Sequence, residues 1–197
     1  MIEFEAKFLD VDKEKIREIL KQKGATLVRP EYGQRRVNFH LPKDKRSNDA
    51  WLRVRNEGDK ITLALKMITG SNIDDQKEIS LTINDFNKAI ELLELIGCEK
   101  KALQESKREL WKINNVEITI DTWPALDPFV EIEGLSENEV REISELLGFD
   151  YKTAIFSAVG RLYKMKYGVS LDDIEKEYGE ITFDNKKLIQ LAANTKS

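Results

Sequence analysis

Apolar and charged side chains alternate along much of this chain, and the charged set changes little from one alternating segment to the next. In the first segment Ile2, Phe4, Ala6 and Phe8 interleave with Glu3, Glu5 and Lys7. A β-strand sends successive side chains to opposite faces, so two carboxylates and an ammonium share one face of this strand. The pattern predicts strands over 2–8, 34–41, 50–56, 61–68, 77–83, 104–112, 116–121 and 129–133. Leu52 and Val54 oppose Arg53 and Arg55. Ile61, Leu63 and Leu65 oppose Thr62, Ala64 and Lys66. Ile79, Leu81 and Ile83 oppose Glu78, Ser80 and Thr82. In 104–112 the register is poor, because Leu110 and Trp111 fall on opposite faces.

Helices punctuate the strands. Asp10 or Asp12 caps the first, which carries Ile16, Ile19 and Leu20 and stops at Gly24. Asn84 or Asp85 starts the second, which ends at Gly97. Ser136 caps the third, with Glu139 placed to complete a capping box, and Gly148 ends it. Each of these helices follows a strand, an internal echo of one βα-plus-meander plan. Residues 153–167 read as helical, a short acidic helix starts at Ser170 or Asp172, and a last helix runs through Leu188 and Leu191. The expected organisation is a domain over 1–149 and a helical extension over 150–197. That extension covers the sheet or packs on a partner subunit.

The chain has 197 residues, 41% apolar and 35% charged, with a net charge of -4. This is enough for one domain with a good core, and it argues against a general nucleic-acid groove. No apolar run is long enough for a membrane span and no signal-peptide pattern opens the chain, so a cytoplasmic protein is expected. With only Cys98 and only His40, a disulfide framework and a His/Cys metal cluster are both excluded. Any metal would need oxygen ligands, which favours a hard divalent cation. Cys98 reads as packing and His40 as a rim residue. There is no phosphate-binding glycine loop and no Gly-x-Ser-x-Gly elbow.

The side chains opposite the apolar faces collect into one chemical set. The acids are Glu3, Glu5, Glu78, Glu117, Asp121, Glu131 and Glu133; the bases are Lys7, Arg36, Arg53, Arg55, Lys66 and Arg108. One reading is a sheet with a wet face. The other is a closed or nearly closed barrel, which eight antiparallel strands can form, with a lumen that holds a polyphosphate. Arginines offer forked donors to phosphate oxygens, lysines act as point charges, and clustered carboxylates suit Mg²⁺ or Mn²⁺.

The segment Glu3-Phe4-Glu5-Ala6-Lys7 resembles the ExExK signature of the CYTH family, the triphosphate tunnel metalloenzymes. The likeness continues through Leu52-Arg53-Val54-Arg55, Thr62-Leu63-Ala64-Leu65-Lys66, Glu78, Lys107-Arg108, Asp121 and Phe129-Val130-Glu131-Ile132-Glu133. It implies an α+β fold, an eight-stranded antiparallel β-barrel (a triphosphate tunnel) with helices packed outside. It implies that Lys7, Arg53, Arg55, Lys66 and Arg108 embrace a triphosphate. Glu3, Glu5, Glu131 and Glu133 would be the main acids for Mg²⁺ or Mn²⁺, with Glu78 and Asp121 close by. Lys7, Glu5 and Arg55 are the expected catalytic residues, Lys7 either as a base or as a phosphate-positioning group. Arg36 joins the substrate-binding set.

Cyclase-like bacterial members carry Gln-x-Asp-x-Tyr-Phe in their second strand, where this chain has Gln34-Arg35-Arg36-Val37-Asn38-Phe39. Arg36 and Asn38 thus replace an acid and a tyrosine. Hydrolysis of inorganic, thiamine or nucleoside triphosphate is the first expectation. Cyclisation of ATP to cyclic AMP and pyrophosphate is the second, and a non-catalytic polyphosphate- or nucleotide-binding module the third. The expected partner is a small-molecule triphosphate, with no nucleic acid or membrane, in a monomer or homodimer.

Overall fold

The computed structural model describes residues 4–47 and 49–194. Ile2 and Glu3, placed in the first strand by the sequence pattern, lie outside them. Eight strands form one antiparallel sheet: β1 (Phe4–Phe8), β2 (Thr26–His40), β3 (Ala50–Asn56), β4 (Ile61–Ile68), β5 (Gln76–Ile83), β6 (Glu99–Ile113), β7 (Val116–Thr122) and β8 (Phe129–Gly134). Their order is β1-β8-β7-β6-β2-β3-β4-β5. The sheet curls into a half-barrel with six helices packed around it. No ladder joins β1 to β5 among the described residues. That seam is bridged by side-chain packing instead: Ile73, in the 3₁₀ turn that leads into β5, sits in the same core cluster as Ala6 and Phe8.

The alternation decides which face is covered. Helices α1 (Lys13–Gln22) and α3 (Glu137–Leu146) lay Ile16, Leu20, Val140 and Ile143 on Ala6, Phe8, Ile118, Ile120, Val130 and Ile132. Helix α2 (Phe86–Leu95) lays Ala89 and Leu93 on Val37, Phe39, Val54 and Leu103, with Cys98 beside them. The apolar face of the sheet is therefore the convex, helix-backed one, and the charged face is the concave one.

Local chemistry fixes the ends. The Asp12 carboxylate accepts from the Glu14 and Lys15 N–H groups at the start of α1, and Asp85 accepts from the Lys88 N–H at the start of α2. Ser136 caps α3 through the Glu139 N–H, but the Glu139 carboxylate accepts from the Leu135 N–H and not from that of Ser136. The expected box is thus shifted by one residue.

Four expectations are corrected. β2 and β6 each run for 15 residues, well beyond 34–41 and 104–112. The poor register of β6 resolves into two working faces. Trp111 packs in the convex core, while Leu110 lines the concave side. Ile79 and Leu81, on the apolar face of the edge strand β5, are each 58% exposed, because no element among the described residues covers that edge. Residues 153–167 are not one helix: a 3₁₀ turn (Tyr151–Thr153) and an extended stretch precede α4 (Gly160–Tyr167).

The extended stretch has a job. Ile155 exchanges both backbone hydrogen bonds with Lys7, at 3.0 and 3.1 Å, and so caps the free edge of β1. Beyond α5 (Leu171–Tyr178), Ile181 bonds to Leu103 and Glu105 of β6, where β7 no longer pairs. With α6 (Lys186–Asn194), the C-terminal elements bury Leu162, Tyr163, Ile174, Ile181 and Leu188 against Trp123 and Phe129. Among the described residues no helix is long and apolar enough to cross a membrane.

Candidate functional site

The concave face encloses a cavity of about 1710 Å³. Lys7, Arg36, Arg53, Arg55, Lys66 and Arg108 all line it, together with Glu5, Glu78, Glu131 and Glu133. The sheet register sets their spacing. On β2 and β3, Arg36 lies opposite Arg55 and Asn38 opposite Arg53; Lys66 lies opposite Glu78 across β4 and β5. On the other flank Lys7 faces Glu131, and Glu5 faces Glu133, which in turn faces Glu117.

These charges are not on a wet surface. Lys7 is 3% exposed, Glu5 and Arg36 6%, Arg53 and Glu131 8%. A buried charge is tolerated only with a partner, and most have one. The Lys7 ammonium sits between Glu5 and Glu131, the latter at 3.2 Å. Arg108 makes a forked contact with Asp121 at 2.7 and 2.8 Å and reaches Glu131 at 3.0 Å. Arg53 and Lys66 both meet Glu78, at 3.2 and 2.7 Å, and Arg55 meets Glu57 at 2.6 Å.

Arg36 differs. Among the described residues no carboxylate pairs with it. Its guanidinium donates to Gln34 Oε1 at 2.6 Å and to Ser106 Oγ, and lies over the Trp123 ring at 4.4 Å. Its Nε is buried without a partner, as is that of Arg53. Burial, reinforced by the charges of Arg55, Arg53 and Arg108, pushes the Arg36 pKa well below the usual guanidinium range. Burial and Arg53 push that of Arg55 down to about 10. In this wall Glu78 and Glu57 serve Arg53 and Arg55, and Arg36 is left without a carboxylate.

The opposite wall has a surplus. Ligand oxygens of Glu5, Glu131 and Glu133 all lie within 4.8 Å of one another. Like charges directly opposite on neighbouring strands destabilise a sheet, and here Glu5, Glu133 and Glu117 form a row across three strands. Burial alone would raise the Glu131 pKa, but Lys7, Arg108 and Lys66 outweigh it and hold the carboxyl well below its usual range. Three carboxylate oxygens so placed fit a hard divalent cation in donor type and spacing. Glu78 and Asp121 stand outside this group: Glu78 is shared by Arg53 and Lys66, and Asp121 by Arg108 and Thr119. Glu3 lies outside the described residues. His40 is half-buried at the end of β2, between Trp51 of β3 and Glu99 of β6, and does not line the cavity.

Several cavity residues escaped the sequence reading. Glu57 continues the face of Arg53 and Arg55 by two residues, and Gln104 lies four before Arg108 on the same face of β6, so parity alone could have found both. Nothing in the sequence marks Glu175, which reaches the cavity from α5.

A family model described as the CYTH domain matches residues 1–163. A protein of Methanocaldococcus jannaschii, named as a candidate adenylate cyclase, is 29% identical over 152 residues, covering 75% of this chain and 84% of its own length. A Vibrio parahaemolyticus structure, also named as a candidate adenylate cyclase, superposes with a TM-score of 0.72 at 13% identity, over 83% of this chain and 98% of that one. A Hippeastrum structure, whose description combines a candidate adenylyl cyclase with a dominant triphosphatase activity, gives a TM-score of 0.58 at 14% identity, over 86% and 97%. At these identities the two structures speak to the fold.

Proposed function

Because the chain belongs to the CYTH domain family, we propose that it cleaves a triphosphate-bearing small molecule with a divalent cation, and that the reaction is hydrolysis. The observation that carries this reading is the charge separation within one cavity. Arg36, buried and without a carboxylate partner, stands with Arg53 and Arg55 across from the close group of Glu5, Glu131 and Glu133. An oligo-anion satisfies the first wall and a cation the second, and a metal–triphosphate supplies both.

Glu5, Glu131 and Glu133 hold the cation, which when bound lowers the charge on the phosphate oxygens and favours attack on phosphorus. The remaining work falls to the cations of the chain. Arg36, Arg53, Arg55 and Arg108 donate to non-bridging oxygens, and Lys7 and Lys66 add point charge beside them. Held in line, a water oxygen bonds to the terminal phosphorus as the bridging P–O bond breaks. The electron pair leaves with the diphosphate fragment, and the proton lost by the water ends on phosphate or solvent. Charge that grows on the leaving oxygen meets donors already in place, so little reorganisation is needed.

Cyclisation of ATP is the second reading, favoured by the name of the Methanocaldococcus relative. It needs the same cage, with a ribose hydroxyl in place of water and pyrophosphate as the leaving group. Product analysis separates the two. The protein is incubated with inorganic triphosphate, thiamine triphosphate or ATP and Mg²⁺ or Mn²⁺, and the products are resolved by chromatography. Free phosphate is the expected product. Cyclic AMP with pyrophosphate establishes the cyclase instead, and binding without any product leaves a non-catalytic module.

A further inference from the structure

Along the concave face of β6 the cavity changes character. Arg108 and Gln104 are four residues apart, about 13 Å of strand. Around Arg108 the cavity is lined by ion pairs with Asp121 and Glu131. Around Gln104, which lies opposite Arg36 in the ladder, it is lined by the amide of Asn38, the Glu175 carboxylate and the Lys101–Asp172 pair. Gln104 is 2% exposed and ties two elements together. Its Oε1 accepts from Asn38 Nδ2 at 3.1 Å, and its Nε2 donates to Glu175 Oε1 at 2.6 Å. Asn38 lies one step beyond Arg36 on the same face of β2, and Glu175 comes from α5, 8% exposed.

This chain of bonds leaves two acceptors over. Asn38 Oδ1 and Glu175 Oε2 are both buried and have no hydrogen-bond partner. They contrast with the buried Nε–H donors of Arg36 and Arg53, which lack partners. Two buried acceptors in this part of the cavity therefore stand open to donors from a ligand. Buried acceptors without donors are costly, and a carboxylate more than an amide. Burial raises the Glu175 pKa against the opposing effects of Gln104 and Lys101, which is what a carboxylate short of donors shows. A metal is poorly served here, because Asp172 is paired with Lys101 at 2.7 Å and leaves Glu175 alone, and a phosphate would bring no donor to the two unpaired acceptors.

We propose that Asn38, Gln104 and Glu175 form a subsite for the organic part of the triphosphate substrate, selecting a group that bears N–H donors, such as an amino-substituted heterocycle. The subsite rests on the triphosphate reading above, since the phosphates must occupy the arginine wall for the organic part to reach Gln104. Gln104 orients both acceptors, and Asn38 Oδ1 and Glu175 Oε2 receive the donors.

Equilibrium binding reads this without turnover. Affinities for inorganic triphosphate, ATP and purine riboside triphosphate are measured by calorimetry with a chelator present. Purine riboside triphosphate lacks only the exocyclic amine of ATP. Wild-type protein is expected to bind ATP at least about tenfold tighter than the purine analogue. In Glu175→Gln, which keeps the side-chain shape, and in Asn38→Ala, that ratio is expected to fall to within about twofold. Equal affinities in the wild type, or a preference that survives both substitutions, overturn the subsite. Binding of inorganic triphosphate without any ATP preference overturns the subsite alone, and no binding of any of the three, either with the chelator or with Mg²⁺ or Mn²⁺ in its place, overturns the triphosphate reading with it.

Discussion

Arg36 carries a charge that the empty protein does not need. It is 6% exposed, held by Gln34, Ser106 and the Trp123 ring, and crowded by Arg55, Arg53 and Arg108. Replacing a buried, unpaired charge by an apolar side chain of similar length relieves that cost, and Gln34 Oε1 keeps its bond from Ser106. Arg36→Met is therefore expected to raise the melting temperature of the ligand-free protein, by about 2–4 °C for each kcal/mol gained. It is also expected to weaken triphosphate binding by at least about tenfold, the loss of one charge-assisted contact. Thermal unfolding and calorimetry on one preparation check both, and a fall in both would mark Arg36 as structural. Glu131 sits where both walls meet, bonded to Lys7 and Arg108 and grouped with Glu5 and Glu133. Glu131→Gln keeps its shape but removes a ligand charge, so phosphate release with Mg²⁺ or Mn²⁺ is expected to drop about 100-fold or more. A Glu131→Gln rate near that of the wild type would remove the carboxylate group from the reaction.

At the scale of elements, β6 shows how an acid can face a core. Glu109 is 4% exposed on the convex side, where α1 supplies Arg17 at 2.7 Å and Trp111 donates its indole N–H at 2.6 Å. Burial would raise the Glu109 pKa, but these donors outweigh it and the net shift is downward. A carboxyl depressed on folding contributes stability above its unfolded pKa of about 4.3, and loses it as pH falls through the lower folded value. Arg17→Ala is expected to cost about 2 kcal/mol at pH 7. It should cost less below pH 4, a convergence that melting curves across pH would show. This pair also explains what the sequence concealed. With Glu109 inward and Leu110 lining the cavity, 104–112 has no clean alternation, and only half of β6 is legible. β2 hides its first half for another reason: Pro30 and Gly33 read as breakers, yet the register against β6 shifts between Leu27 and Arg29 and between Arg29 and Tyr32. A residue without an N–H is tolerated where the ladder is interrupted. β3 and β4 have neither problem, and their bounds are readable to the residue. Lys7, Arg53, Arg55 and Lys66 were legible for the same reason, since they ride on cleanly alternating strands. Glu175 was not, because an acid on a polar helix carries no periodic signal.

At the scale of the whole molecule, the C-terminal elements decide whether the cavity is an appendage of a sheet or the interior of one body. Ile155 completes the edge of β1 at Lys7, and Ile181 bonds to β6 on either side of Gln104. Between them Tyr163 is fully buried, its hydroxyl donating to the Pro124 carbonyl at 2.6 Å in the bridge from β7 to β8. We propose that 150–194 and the sheet unfold as one unit, because these contacts hold site-bearing strands and not a remote surface. Tyr163→Ala removes a large buried ring and leaves a cavity beside Trp123 and Phe129, a change that costs about 3–5 kcal/mol for comparable aromatics. If the extension is integral, the whole cost appears in a single transition. Far-ultraviolet dichroism, which follows the sheet, and tryptophan fluorescence, which includes Trp123, should then shift together by about 10 °C. If the fluorescence change alone moves and the sheet melts where it did before, the extension is a separate layer. Glu175 would then be carried to the cavity by a segment that the sheet does not need for its own stability.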